Sequence, residues 1–243
     1  MIESRQNAFI KQIRALKDKK NRDAEGMYIA ESIKMVKEAL VCVPDDVLYV
    51  VGTFDTLSTI DVDPIKKVVV SESVFQSVST EVSPEGVLAV IRKPLTRLVK
   101  PSKKCLLLDR VSDPANVGAI IRTAVSAGYS DVYCFNTADP FSPKSVRASM
   151  SGIYKAKIYS GNLQDLLSVI NLPLVVADMN GTDVYSFKPD CDFCLVIGNE
   201  ANGVSNELKQ KAKYTVSIPM QNGMESLNAG VSAGILMYLL NSK

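Results

Sequence analysis

The stretch CLLLDRVSDPANVGAIIRTAVSAGYSDVYCFN, residues 105–136, decides the fold. CLLLD is apolar up to its last residue, Asp109, as a strand covered on both faces must be. NVGAIIRTAVSA then places apolar residues at helical spacing and stops at Gly128, a residue suited to ending a helix. DVYCFN is strand-like again. Apolar strands separated by a helix imply a parallel pair with a crossover helix on one face.

The alternation continues to the end of the chain. NLQDLLSVIN (162–171) reads as a helix, LPLVVAD (172–178) and FCLVIG (193–198) as strands, SNELKQKA (205–212) as a helix capped by Ser205, and YTVSIP (214–219) as a strand. A closing helix is expected from about Ser226, its cap, to Leu240. The fold class is therefore α/β with a mainly parallel sheet, in which ligands gather at the carboxyl ends of the strands.

The first ninety residues read as a smaller α/β unit. NAFIKQIRALKDKK (7–20) predicts one amphipathic helix with Ile10, Ile13 and Leu16 inward and Lys11, Arg14 and Lys17 on its exposed, basic side. YIAESIKMVKEAL (28–40) predicts a strand ending in a helix capped by Ser32, with Ile33, Val36 and Leu40 inward. DDVLYVVG, KKVVVSE and EGVLAVIRK are strand-like, and Ser71 can cap another short helix. KPLTRLVKPSKK (93–104) carries two prolines and five basic side chains with little periodicity, which suits a linker. The expected organisation is a domain over residues 1–93, a linker over 94–102 and a second domain over 103–243.

Composition narrows the chemistry. The 243 residues contain no histidine, so catalysis through Ser-His-Asp or Cys-His is excluded, and five cysteines without a second close pair argue against zinc. No metal is expected. Cys191 and Cys194 form a C-x-x-C that leads into an apolar strand rather than a redox turn before a helix. The odd cysteine count and an amino terminus without an apolar signal core fit a reducing cytoplasm, and no apolar run approaches the ~20 residues that span a membrane. A net charge of +2 gives no global attraction for polyanions, so a nucleic-acid partner would be held by local basic patches.

Three strand ends in the second half lead into loops rich in asparagine and glycine: DRVSDPANVGAIIR (109–122), GNEANGVS (198–205) and PMQNGMESLNAG (219–230). Such residues let backbone amides approach a ligand. The second loop lacks the lysine of a phosphate-binding loop, and no G-x-G-x-x-G is present, so nucleoside triphosphate or dinucleotide binding is disfavoured. In a purely structural reading Pro114 sets a turn, Asn116 caps a helix and Arg122 is an exposed cation. Against it, Arg122 stands beside Ile120 and Ile121 on a mostly apolar helix, where a guanidinium needs an anion or a polar cavity. Ala229, Gly230, Ser232, Ala233 and Gly234 reduce helix propensity, which the close approach of another backbone would offset.

Taken together, DPANVGAIIRTA, LVIGNEANGVS and IPMQNGMESLNAGVSAGI resemble the three motifs, in order, of the SpoU (TrmH) family of RNA 2′-O-ribose methyltransferases in the SPOUT superfamily. The resemblance covers residues 103–243 and includes VRASMSGIYK, where Ile153 and Tyr154 depart from the family pattern, as does Gly230. The amino-terminal part resembles the L30e-like substrate-binding domain often fused to this family, and its basic first helix would supply phosphate contacts.

The resemblance implies a carboxyl-terminal trefoil knot, a homodimer with the cofactor pocket near its interface, and S-adenosylmethionine as cofactor. Its implied substrate is RNA, ribosomal rather than transfer RNA by the presence of the extra domain. It further implies a catalytic set of Arg122, Asn116, Glu200, Ser226 and Asn228. The cofactor would lie against Gly198, Ile218, Met220 and Leu227 and the loop after the strand ending near Asp178. A non-catalytic RNA-binding or ribosome-assembly factor on the same fold stays open at this point.

Overall fold

The computed structural model describes residues 1–95 and 97–241; Thr96, inside the expected linker, and Ser242 and Lys243, at the end of the expected second domain, lie outside the described residues. The chain divides into two compact units, Met1–Leu95 with Phe141–Tyr154, and Thr96–Pro140 with Lys155–Lys243.

In the first unit the elements run α1 (Ala8–Ala15), α2 (Lys19–Glu25), β1 (Met27–Glu31), α3 (Ile33–Cys42), β2 (Val47–Gly52), α4 (Phe54–Ser58), β3 (Lys67–Val69), α5 (Glu72–Val78) and β4 (Val87–Arg92). The sheet order is β1-β4-β2-β3, with β4 antiparallel to both neighbours and β2 parallel to β3. Ile10, Ile13 and Leu16 of the first helical segment join Val74, Phe75 and Val78 of α5 in a core against Ile29, Leu88 and Val90. Ser32 caps α3 as expected, its Oγ accepting from the Met35 N–H at 3.2 Å. The side of α3 that is fully buried is Met35, Val36 and Ala39; Ile33 and Leu40 are half-buried at its margins.

Two expectations for the first helix need correction. The single helix over residues 7–20 is two helices, because the buried Arg22 guanidinium donates to the carbonyls of Leu16 and Lys17 at 2.8 and 2.7 Å. Those carbonyls are the acceptors a continuing helix would have used. Nor do Arg14 and Lys17 face solvent as phosphate contacts. Arg14 donates to the Ser77 carbonyl at 3.2 Å and to its Oγ at 2.9 Å, and Lys17 donates to the Ser79 carbonyl at 2.6 Å. Both cations satisfy the open carbonyl end of α5, where positive charge is favoured. Burial lowers the Lys17 pKa, as such an inward position requires. Lys11 alone of the three is exposed.

The second unit contains β5 (Cys105–Asp109), α6 (Pro114–Ser126) and β6 (Asp131–Phe135). The chain then forms α7 (Pro143–Ser149) and α8 (Gly152–Lys155), most of which packs with the first unit, before β7 (Lys157–Ser160), α9 (Leu163–Val169), β8 (Leu174–Asp183), β9 (Cys194–Ile197), α10 (Asn206–Lys211), β10 (Tyr214–Ser217) and α11 (Ala229–Leu239). The six strands pair in parallel in the order β10-β8-β9-β5-β6-β7. Cys105 and Leu107 point to a core with Leu163 and Leu166 of α9 and Leu208 of α10. Leu106 and Leu108, at the alternate positions of the same strand, point to the opposite face. α6 and α11 pack on each other.

β8 runs past its expected end near Asp178 to Asp183 because it pairs with β10 twice. Val176 stands opposite Thr215 and Thr182 opposite the next residue, Val216, so the intervening residues of β8 lie outside the ladder, with the Ser217 hydroxyl of β10 donating to the Gly181 carbonyl at 2.9 Å. Gly181 lies where a Cβ would meet the Val216 nitrogen and carbon at 2.6 and 2.5 Å. Cys194 is fully buried in β9, and burial raises its thiol pKa well above the ordinary range, with a hydrogen bond to Cys105 acting the same way. That is the thiol of a packed strand and not of a redox turn.

Phe141–Tyr154 packs with the first unit through specific contacts. The Phe141 ring lies 5.1 Å from that of Tyr28, Arg147 pairs with Glu81, and the Tyr154 hydroxyl donates to the Met35 carbonyl at 3.1 Å. Ile153 is buried. Ile153 and Tyr154, two of the three expected departures from the motif pattern, are thus packing residues of this segment.

Candidate active site

The loops after β5, β9 and β10 leave the sheet at carboxyl ends, and named hydrogen bonds tie them together. α6 is capped by Asp113, whose Oδ1 accepts from the Ala115 N–H at 2.9 Å. Asn116 therefore does not cap the helix; it sits in the first turn, nearly buried, and its side chain is spent between loops. Its Nδ2 donates to Glu200 Oε1 at 2.9 Å, and its Oδ1 accepts from Asn228 Nδ2 at 2.9 Å. Asn228 Oδ1 in turn accepts from the N–H groups of Gly230 and Val231 at 2.9 and 3.3 Å. A continuous polar path runs from the second loop through the first to the start of α11.

Asn228 is thus the cap of α11, and the expectation that Ser226 caps it is corrected. The amide side chain can both cap the helix and donate to Asn116, which a serine hydroxyl two residues earlier does not reach. Ser226 is exposed in the loop and makes no hydrogen bond among the described residues.

Glu200 is the point where the first two loops meet. Its carboxylate accepts from the Ser112 N–H at 3.0 Å, the Ser112 hydroxyl at 2.8 Å, the Asp113 N–H at 3.0 Å and Asn116. Partial burial pushes its pKa up, but the hydrogen bonds from Asn116 and from the Ser112 and Asp113 amides outweigh that and hold it at about 2. It is an ionised anchor and a poor proton acceptor near neutrality.

Arg122 lies elsewhere on α6. Six residues beyond Asn116, it is about 9 Å along the helix and about 120° around it. Its side chain is exposed, as the structural reading of an exposed cation has it and as a guanidinium awaiting an external anion requires: Val117, Ile120, Ile121 and Ala124 fill the buried face and Arg122 points away from it. Among the described residues no group pairs with its guanidinium. The structure therefore brings Asn116, Glu200 and Asn228 together and leaves Arg122 and Ser226 open to solvent.

The residues expected against a cofactor fall on two loops. At Gly198 a Cβ would meet the carbon of Gly203 and the nitrogen of Val204 at 2.2 Å each, so the loop closes on itself only with bare backbone there. Asn199 and Gly203 exchange backbone hydrogen bonds across it at 3.1 and 2.9 Å. Ile218 and Met220 are half-buried, and Leu227 is 38% exposed. Between Ile218 and Leu227 the one backbone–backbone hydrogen bond among the described residues runs from the Met224 N–H to the Gln221 carbonyl at 3.2 Å. Main-chain donors and acceptors beside apolar side chains suit an adenine ring, whose edge needs hydrogen bonds and whose faces need apolar cover.

Two residues of this cluster carried no signal of a role in the sequence. Ser112 meets Glu200 with both its amide and its hydroxyl, and Arg110 holds the second loop at Gly203, its Nη2 donating to that carbonyl at 3.3 Å. Only pairing of the loops in space reveals either one.

Residues 103–238 match the SpoU rRNA Methylase family, and residues 7–89 match the MRM3-like substrate binding domain. The chain is 31% identical to the 23S rRNA (guanosine(2553)-2′-O)-methyltransferase RlmP of Bacillus subtilis, over 98% of each protein. Among solved structures it is similar to a putative RNA methyltransferase of the TrmH family from Porphyromonas gingivalis, with 31% identity, a TM-score of 0.86 and coverage of 99% of this chain and 98% of that one. It is similar also to the S-adenosylmethionine-bound rRNA methyltransferase of Sinorhizobium meliloti, with 27% identity, a TM-score of 0.86 and coverage of 98% and 96%. With one model matching more than half the chain and a relative aligned from end to end, the chain belongs to the SpoU rRNA methylase family of S-adenosylmethionine-dependent RNA 2′-O-methyltransferases.

Proposed function

We propose that this chain methylates the 2′-hydroxyl of a ribose in ribosomal RNA, using the joined loops of the second unit as its active site and working as a homodimer in the cytoplasm. The observation that carries the reading is the path Glu200–Asn116–Asn228, which makes one site of three loops at the carboxyl ends of β5, β9 and β10. The relative from Bacillus subtilis makes 23S rRNA the first substrate to test. Residues 1–93 hold the RNA, 94–102 link the domains, and 103–243 carry the chemistry, with Phe141–Tyr154 lent to the first unit.

Gly198, Ile218, Met220 and Leu227 hold the cofactor in this reading. S-adenosylmethionine supplies a methyl group on a sulfonium, an electrophile whose leaving group is a neutral thioether. The protein's task is to align a ribose oxygen with that carbon, and such positioning can contribute roughly 7–11 kcal/mol. Asn116, its amide fixed at both ends, orients the acceptor sugar together with Asn228, and exposed Ser226 completes the polar wall. Glu200 holds Asn116 in place and does not take the proton, because its carboxylate is saturated with donors. Arg122 pairs with an RNA phosphate and stabilises the developing alkoxide; a guanidinium does not deprotonate in proteins, so phosphate or water receives the proton. Its exposure, with no partner among the described residues, supports that role.

Homodimer formation is supported by α11, where Val231 and Tyr238, seven residues apart on one stripe, are 51% and 55% exposed. A trefoil knot is supported by the bare backbone at Gly181 of β8, where the backbone of Val216 on β10 passes within 2.6 Å of a Cβ position. The test is incubation with methyl-labelled S-adenosylmethionine and unmodified large-subunit, small-subunit or transfer RNA. Label is expected in large-subunit RNA, and Arg122→Lys is expected to retain much of the rate. Absence of cofactor binding in calorimetry would instead favour a non-catalytic RNA-binding factor, and near-complete loss in Arg122→Lys would reject charge stabilisation as the role of that residue.

A further inference from the structure

The first loop opens with two residues that the methyl-transfer reading leaves without a task. Asp109 closes β5 and is wholly buried, and Arg110 follows it with a φ of +59°, a conformation that an arginine rarely adopts. Both its backbone and its side chain are engaged. The Arg110 N–H donates to the Phe135 carbonyl at 2.8 Å, and its carbonyl accepts from Asn199 Nδ2 at 2.9 Å. The guanidinium Nε donates to Asp109 Oδ1 at 3.0 Å, while Nη2 donates to Asp109 Oδ2 and to the Gly203 carbonyl, each at 3.3 Å. Asp109 Oδ2 accepts in addition from the Ser205 N–H at 2.6 Å.

An ion pair between sequence neighbours joins nothing that the peptide bond has not already joined. What it does here is fix the plane of the guanidinium so that a third N–H reaches Gly203. The pair thereby touches the second loop at its entry, Asn199, and at its exit, Gly203 and Ser205. At the exit the two backbone hydrogen bonds between Asn199 and Gly203 close the turn on itself, while the Ser205 side chain adds no anchor: it makes no cap bond to α10, and its Oγ is buried without a partner among the described residues. Between those anchors lies the self-closed turn whose bare backbone at Gly198 faces the cofactor in the proposed function.

We infer that Arg110, braced by Asp109, is a positioning residue that holds the Gly198–Ser205 loop in its cofactor-binding shape without itself touching the cofactor. The inference rests on the proposed function for the identity of the ligand and on the hydrogen bonds alone for the brace. A lysine in its place keeps a cation beside the buried carboxylate but lacks the planar fork that reaches Asp109 and Gly203 together.

Arg110→Lys and Arg110→Ala are compared with the full-length wild-type chain by calorimetry with S-adenosylmethionine and S-adenosylhomocysteine. Amide hydrogen exchange of the proteins without cofactor, thermal unfolding and RNA affinity are measured alongside. Arg110→Lys is expected to unfold near the wild-type temperature, to bind RNA within twofold, and to bind both cofactor forms about tenfold more weakly, equivalent to about 1.4 kcal/mol. Exchange should accelerate at residues 199–205 and not in the sheet. Wild-type affinity for both cofactor forms in Arg110→Lys overturns the inference, as does unchanged exchange in the loop. If Arg110→Ala fails to fold, Arg110→Lys still decides. If the wild-type chain binds no cofactor, the proposed function fails, and accelerated exchange at 199–205 still supports the brace while unchanged exchange removes it.

Discussion

Replacing Glu200 by glutamine removes a charge from the junction of two loops while keeping nearly the same shape. The carboxylate takes the Ser112 amide, the Ser112 hydroxyl, the Asp113 amide and Asn116 at 2.8–3.0 Å. Glutamine keeps one acceptor oxygen and turns an NH₂ group towards N–H donors that cannot accept, the Ser112 hydroxyl alone being able to reverse. The fall in pKa from 4.5 to about 2 measures how much the folded state prefers the ionised form. Taken at face value this is about 3.4 kcal/mol, but the residue is solvent-exposed and water screens it, so about 1–2 kcal/mol is the expected cost of Glu200→Gln at pH 7. The folded pKa is depressed, so the stabilisation is complete above about pH 4.5 and is lost as pH falls towards about 2. Less than about half of it should remain by pH 3. The chain has no tryptophan, so urea unfolding is followed by circular dichroism, for wild type and variant at pH 7 and at pH 3–4. Equal stability at pH 7, or a difference of the same size at both pH values, would refute the view that an ionised Glu200 holds the loops together.

Gly198→Ala places a methyl 2.2 Å from backbone that has nowhere to go, and overpacking of that kind costs about 1–3 kcal/mol; the variant should also bind S-adenosylmethionine at least tenfold more weakly in calorimetry. Asn228→Ala removes a helix cap and the bond to Asn116 and should lose about 1–2 kcal/mol in urea unfolding. Ser226→Ala, at an exposed loop position, should stay within about 0.5 kcal/mol of wild type in the same experiment while slowing methyl transfer. Arg14→Ala should lower the melting temperature and leave RNA affinity unchanged, because its guanidinium serves the end of α5. Lys11→Ala should do the reverse, weakening RNA binding and reducing its salt dependence by about one counterion in filter-binding titrations.

The periodicity of apolar residues made most of the second unit legible, because strands buried on both faces leave long uninterrupted runs such as Leu106–Leu108 and Leu195–Ile197. β7 escaped since Lys157 and Ser160 bound only two buried residues, Ile158 and Tyr159, at the sheet edge. The split between α1 and α2 depends on where the Arg22 guanidinium goes, which no local pattern records. The same is true of Arg14 and Lys17: a basic stripe has one appearance in sequence whether it meets phosphate or the carbonyls of a neighbouring helix. At the site, the resemblance to the family's motifs pointed to Asn116, Glu200 and Asn228, which the structure brings together, yet the exchange of caps from Ser226 to Asn228 follows from a side chain that bonds forwards to α11 and backwards to Asn116 at once. Arg110 and Ser112 carry no motif signal, because their partners are about 90 residues away in sequence.

The account as a whole depends on where a methyl group arrives. Ribosomal RNA lacking its natural modifications, incubated with the full chain and isotopically labelled S-adenosylmethionine, can be digested to nucleosides and examined by mass spectrometry. The account predicts label on the ribose of one nucleotide, as a 2′-O-methylnucleoside, abolished by Arg122→Ala. Label on a base, or none in any RNA while the cofactor is bound, would contradict it.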